Sequence, residues 1–143
     1  MAKKVEYVEH KGAPEGVWTP YTPAVKVSGG TTVYFAGVTA PPPYHHHPHR
    51  PEEFDNIPAD MAGQTRATLE NLKKGLESVG ASFSDIVQTT FYMTDLTAQD
   101  EMAKVKAEYF GDHRPASTTV QVVRLATDPR CLIEIDAVAV IDG

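Results

Sequence analysis

Residues 132–141 alternate without a break. Ile133, Ile135, Ala137, Ala139 and Ile141 fall on one side, and Leu132, Glu134, Asp136, Val138 and Val140 on the other. A period of two with one wholly apolar side predicts a β-strand laid against a core. Residues 117–123 predict a second strand, ending in apolar Val122 and Val123, and a short Pro-containing loop joins the two. A further strand is predicted over 86–93, fed by a turn at Gly80. Near the start of the chain, 24–28 and 31–37 flank Gly29-Gly30, a strong signature of a paired hairpin. Residues 4–8 alternate weakly and open the sheet.

Two stretches switch to a helical period. Over 60–79, Ala62, Leu69, Leu72, Leu76 and Val79 form one stripe while Arg66, Glu70, Lys73 and Lys74 lie elsewhere, as an amphipathic helix requires. Glu70 and Lys74 make a favourable pair one turn apart, and Gly80 stands where a C-terminal cap belongs. Thr97 with Asp100 is the expected capping pair of a second helix, which runs to about residue 110 and buries Ala98, Met102, Val105 and Tyr109. The order β-β-β-α-β-α-β-β predicts a single α+β domain over 1–143. Its two helices cover one face of a mixed sheet.

The polar side of the last strand stands out, because Glu134 and Asp136 share it with three aliphatic residues. Two readings follow. Either the acids meet water at an edge, or Glu134 points into a half-buried pocket, where an acid costs free energy unless it is paired or does chemistry.

Charge and composition narrow the possibilities. A net charge of −6 argues against a nucleic-acid surface, which needs a basic patch or stripe. No apolar run approaches the ~20 residues that cross a bilayer, and MAKKVEYVEH lacks the apolar core of a signal peptide. The expectation is therefore no nucleic-acid partner and no membrane. Cys131 is the single cysteine, which excludes an intrachain disulfide and fits a reducing, cytoplasmic setting. With no cysteine partner it reads as a small core or boundary residue rather than a nucleophile.

Residues 40–56, APPPYHHHPHRPEEFDN, form a long loop rich in proline and histidine, and loops of that length in small domains tend to carry function. His45, His46, His47 and His49 offer imidazoles to Zn²⁺ or Ni²⁺. Consecutive histidines among prolines should follow polyproline geometry and project in different directions. The expectation is thus a solvated loop or pocket lid, with no metal site and no cofactor.

Several spaced motifs resemble those of the Rid family, the reactive-intermediate imine deaminases also called YjgF or L-PSP proteins. RPASTTVQV followed by LIEIDAVAV is similar to the family's closing pattern at Pro115, Ala116, Thr118, Val120, Val122, Ile133, Glu134, Ile135, Asp136, Ala137 and Ala139. Gln64, Thr65, Leu69, Asn71 and Leu72 match its first helix. Gly80, Asp85, Ile86, Val87, Thr90, Tyr92, Met93 and Asp95 match the strand that follows. TPYTPAV places Tyr21 at a pocket-lining tyrosine, and TTVYFAG keeps Gly37 with Ala36 where serine is common. One departure matters most: Ser117 stands at the family's arginine.

The resemblance implies a chorismate-mutase-like fold, three copies around a barrel-like core, and sites in the clefts between them. It implies hydrolysis of a small imine or enamine to a carbonyl compound and ammonia. Glu134 would hold the water, with Tyr21, Ala36, Ser117 and Thr119 lining the pocket and Arg114 a further candidate. Serine cannot imitate the bidentate grip of arginine on a carboxylate, so typical 2-imino acids should be poor substrates. A non-catalytic trimer that binds small ligands is the alternative. An aminomuconate-type deaminase and an endoribonuclease stand further back, the latter disfavoured by the acidic charge.

Overall fold

The longest helix shows how local signals set the frame. In the computed structural model, which describes residues 1–143, α1 spans Met61–Ser78. The Asp60 carboxylate accepts from the Gly63 amide at 3.0 Å, satisfying one of the amides that a helix start leaves free. At the other end Gly80 takes φ +73°. The Gly80 amide donates to the Glu77 carbonyl and the Ala81 amide to the Leu76 carbonyl, the paired closure that a left-handed glycine allows. Val79 falls beyond the last turn. It was expected on the buried stripe and is instead 37% exposed, because its backbone has left the helical path.

The buried stripe of α1 is Met61, Leu69, Leu72 and Leu76 together with Gln64, Thr65, Thr68 and Asn71. The two amides are tethers. Gln64 Nε2 donates to the carbonyls of Pro58 and Arg130 while its oxygen accepts from the Leu132 amide. Asn71 Nδ2 reaches the carbonyls of Thr39, Ala40 and Pro41. α2 spans Gln99–Phe110 and buries Met102, Val105 and Phe110, with Tyr109 only partly covered. Its entry differs from the expected Thr97–Asp100 pair. Asp95 accepts from the amide and hydroxyl of Thr97 at 2.9 and 2.6 Å, capping a short turn that precedes the helix.

Six strands form two sheets. β1 (Lys4–Val8) and β2 (Ala24–Ser28) make an antiparallel pair. β3 (Thr31–Val38), β4 (Ile86–Met93), β5 (Ala116–Gln121) and β6 (Ile133–Ile141) make a mixed sheet in the order β3-β6-β4-β5. Only β4 and β5 run parallel. The expected hairpin is thus half right. Gly29 and Gly30 adopt the positive φ of +69° and +74° that such a turn needs, yet β2 pairs with β1 and β3 with β6. A turn signal is local. The partner is set by burial, and β3 laid on β6 brings Phe35 and Val38 against the main core.

Both helices cover one face of the mixed sheet. Ile133, Ile135, Ala137 and Ala139 are at most 2% exposed and meet Leu69, Leu72, Leu76, Phe91, Met102 and Phe110 in a single cluster. At roughly 1.5–3 kcal/mol for each fully buried large aliphatic side chain, this layer is the chief source of stability. β5 stops at Gln121 rather than 123, and Val123 is 98% exposed. Cys131 is fully buried at the foot of β6, and burial pushes its thiol pKa up, which keeps it inert. No helix is long and apolar enough to cross a membrane.

Candidate functional site

Residues paired across a sheet share a face, so the strand registers sort the candidate residues. Glu134 lies opposite Tyr92 and Asp136 opposite Thr90. All four therefore stand on the face away from the helices. The Tyr92 hydroxyl donates to Asp136 Oδ2 at 3.0 Å; that bond, then burial, raises the tyrosine pKa. Glu134 is half-buried, and burial first, the Asp136 charge second, push its pKa up. Glu134 is thus half-buried on an inner strand rather than solvated at an edge.

The neighbour that shapes Glu134 is a glycine. The β3–β6 register breaks between Phe35 and Val38, so that Ala36 and Gly37 together face Asp136. This is a bulge, a device that re-aims side chains near sites. A methyl at Gly37 would stand 2.5 Å from Glu134 Oε2 and 2.9 Å from its carboxyl carbon. The carboxyl therefore occupies the space that any other residue would fill. Ala36 is exposed at the bulge and borders a groove of about 470 Å³ between β3, α1 and the following loop, floored by Phe35, Leu72 and Gly75.

Ser117 and Thr119 fall elsewhere. Ser117 lies opposite Thr89 and Thr119 opposite Phe91, which share the helix-covered face with Ala137 and Ile135. The Thr89 hydroxyl donates to Ser117 Oγ at 3.0 Å. Within one chain these two residues and Glu134 are on opposite faces. β5 is also two strands from β6, roughly 10 Å at the ordinary strand spacing. The expected meeting of these residues with Glu134 lay at clefts between copies; inside a single chain they do not meet. Sequence spacing fixes the face within a strand but not how two strands are registered.

Tyr21 and Arg114 join the Ser117 side. The Thr22 amide donates to the Pro115 carbonyl, which lays the Tyr21 loop along the start of β5. Arg114 Nη1 donates to the carbonyls of Thr19 and Tyr21 at 2.9 and 3.2 Å, and Nη2 to Glu9 at 2.7 Å. Its guanidinium is paired within the chain and holds this loop in place. The Tyr21 ring is 37% exposed. The candidates thus fall into two halves: Glu134, Ala36 and Gly37 on the uncovered face beside β3, and Tyr21, Ser117 and Thr119 along the β5 edge.

The histidine loop departs from expectation too. His45, His47 and His49 do not diverge; one ligand-capable atom from each lies within 4.8 Å of the others. The chain bends at His47 and Pro48 and returns His49 to His45. An extended run would leave those two roughly 13 Å apart, so spacing alone did not signal the cluster. Asp136, Gly37 and Asn71 were visible as motif positions. Their contacts, with Tyr92, with Glu134 and with the 39–41 carbonyls, were not.

An α+β chain with this strand order, its acid set against a bulged glycine on the uncovered face, has the build of the YjgF-type proteins. The sequence profile of the family described as Endoribonuclease L-PSP matches residues 12–141, and the chain belongs to that family. It is 38% identical over 139 residues to a RutC family protein of Pyrococcus abyssi, covering 97% of this chain and 98% of that one. It is 41% identical over 90 residues to the 2-iminobutanoate/2-iminopropanoate deaminase of Escherichia coli, covering 59% of this chain and 66% of the relative. Among solved structures it is similar to a Yersinia pestis protein of the conserved Rid family, with a TM-score of 0.73, 26% identity, and 96% and 98% of the two chains covered. A Mycobacterium tuberculosis member of the YjgF/YER057c/UK114 family gives a TM-score of 0.63 and 30% identity, covering 96% and 100%.

Proposed function

We propose that the protein hydrolyses small imines or enamines, releasing ammonia, at clefts between copies of the chain, and that its substrate lacks the usual carboxylate contact. The observation that carries this reading is Glu134, half-buried and pressed against Gly37 with its pKa raised by burial. A carboxyl raised above its ordinary value is a stronger proton acceptor than a solvated one, which suits it to take a proton and return it. In the reaction, water oxygen attacks the imine carbon while Glu134 takes a proton from it. The carboxyl passes that proton to the nitrogen, giving a carbinolamine. The carboxyl then relays the hydroxyl proton to the amine, and as the C–N bond breaks the C–O bond becomes a carbonyl and ammonia leaves.

The two half-sites support assembly. A small substrate cannot touch Glu134 and the Ser117 side of the same chain, because the sheet stands between them. Two copies packed edge to face would bring one chain's Tyr21, Ser117 and Thr119 to its neighbour's Glu134. A homotrimer closes such a contact on itself. Exposed Tyr34, Val120 and Val123, at 79%, 37% and 98%, supply apolar surface for it. Ser117 is held by Thr89 and offers no cation, which favours a substrate without the typical carboxylate. The acidic net charge of −6 makes RNA a poor substrate.

Ammonia release from freshly generated 2-aminoacrylate tests the reading. Ser117→Arg should raise kcat/KM by roughly 30- to 150-fold, since a charge-assisted Arg–carboxylate contact is worth on the order of 2–3 kcal/mol. Glu134→Gln in that background should abolish the gain. Chains carrying both substitutions, co-assembled with wild-type chains, should recover part of it, because Arg from one copy then meets Glu134 of another. No gain in a folded Ser117→Arg variant sinks the missing-anchor account, and no recovery on mixing sinks the shared cleft.

A further inference from the structure

His45, His47 and His49 take no part in the chemistry above, yet they are gathered as ligands are. Their ring centroids are 4.7, 4.9 and 5.0 Å apart pairwise, close to an equilateral triangle. We propose that these three imidazoles form a binding site for one divalent transition-metal ion of the Zn²⁺ class in each chain, with water in the remaining position. Three histidines and an open fourth position are a complete donor set for zinc. Imidazole also suits Ni²⁺ and Cu²⁺, while disfavouring the oxygen-seeking Mg²⁺ and Ca²⁺.

The fit is dimensional as well as chemical. Metal–nitrogen bonds of about 2.0–2.1 Å in a tetrahedron place ligand atoms roughly 3.3 Å apart. The ligand atoms here lie within 4.8 Å of one another, so shifts of about 1 Å by side chains would close the site. His47 and His49 are exposed and His45 is half-covered, so the ion can enter from solvent and the rings can adjust.

What separates this cluster from a loose histidine-rich segment is its mounting. Phe54, 1% exposed, sits beneath it with its ring 5.2 Å from His45 and 5.6 Å from His49. On the upstream side Asn71 clamps the carbonyls of Thr39, Ala40 and Pro41. Downstream, Arg130 donates to the Pro51 carbonyl and to Asp55, both at 2.8 Å, and is itself held by Asp128. Both ends of the loop are therefore tied to the core, and less ordering entropy is lost when a ligand binds. His46 marks the register. It points away and meets Glu53, Nδ1 to Oε1 at 2.7 Å. The loop holds four histidines, and its geometry selects three.

That selection makes the test specific. Untagged protein, dialysed against a chelator and then metal-free buffer, is titrated with Zn²⁺ by calorimetry and in competition with a chromophoric chelator. One ion per chain should bind. Loss of an outer partner alone typically weakens metal sites about 10- to 100-fold, so His47→Ala and His49→Ala should each weaken binding by about 100-fold or more. His46→Ala should change it by less than about threefold. His47 and His49 are exposed, so these variants should keep the wild-type circular dichroism. No saturable Zn²⁺ uptake overturns the site. So does equal weakening by His46→Ala and His47→Ala, which would mean unspecific chelation. One ion per three chains would also overturn it, moving the ion to a contact between copies.

Discussion

The two faces of the mixed sheet are built from the same four strands to opposite ends. On the helix side, β6 presents Ile133, Ile135, Ala137 and Ala139, none more than 2% exposed. On the other side the intervening residues of the same strand are Glu134, Asp136, Val138 and Val140. There Tyr92 bonds Asp136, Glu134 is pressed on Gly37, and Tyr34 is 79% exposed. One face spends its positions on packing, where a lost methylene is felt at once. The other keeps acids partly out of water, an arrangement that opposes stability and is retained where chemistry uses it.

The largest effects should come from the packed face. Ile135→Ala should cost about 2–5 kcal/mol, read from the urea midpoint. Val138→Ala, on the open face, should cost less than about 1 kcal/mol in dilute protein. A cost at Val138 that grows with protein concentration would sharpen the contrast, since it reports a second copy seated on that face. Equal costs at low concentration would erase it.

Next in size is the glycine at the bulge. Gly37→Ala puts a methyl into the space of the Glu134 carboxyl and should destabilise by about 1–3 kcal/mol. In a Glu134→Ala background most of that cost should vanish, a coupling readable from a double-mutant cycle. If the two costs simply add, the contact between Gly37 and Glu134 does not shape the site.

The smallest effect concerns charge. Burial, and then Asp136, raise the Glu134 pKa, so the folded chain binds this proton more tightly than the unfolded chain. Its favourable contribution is complete below the unfolded carboxyl pKa and is lost as pH rises through the folded value. Glu134→Gln should therefore raise Tm at pH ~7 by about 1–2 °C, with the gain gone near pH ~4. A fall in Tm at neutral pH would mean that the carboxylate is held by a favourable partner rather than penalised by burial.

Much of this frame was legible beforehand because its signals are local. The alternation of 132–141 became β6 with the expected buried face, and the Leu69–Leu72–Leu76 stripe with Gly80 became α1 and its closure. Glu134 was singled out because an acid among aliphatic residues needs a reason, and its half-burial supplies one. What local signals left out shares a cause. Gly29-Gly30 gave a correct turn and a wrong strand partner. Ser117 and Thr119 were expected beside Glu134 at a cleft between copies, and within one chain the registers put a sheet between them. The contacts of Arg114 with Thr19, Tyr21 and Glu9 lie between segments far apart in the chain.

By itself, then, the sequence determined the elements, the faces within each element, and the family motifs, since periodicity, caps and turn residues act over a few positions. Only the tertiary structure decided which strands pair, which faces meet and which side chains touch. Those choices are set by burial among residues far apart in the chain. The histidine loop lies on that boundary. Its composition was plain, but the gathering of His45, His47 and His49 over Phe54 depends on Asn71 and Arg130, which hold its two ends from elsewhere in the fold.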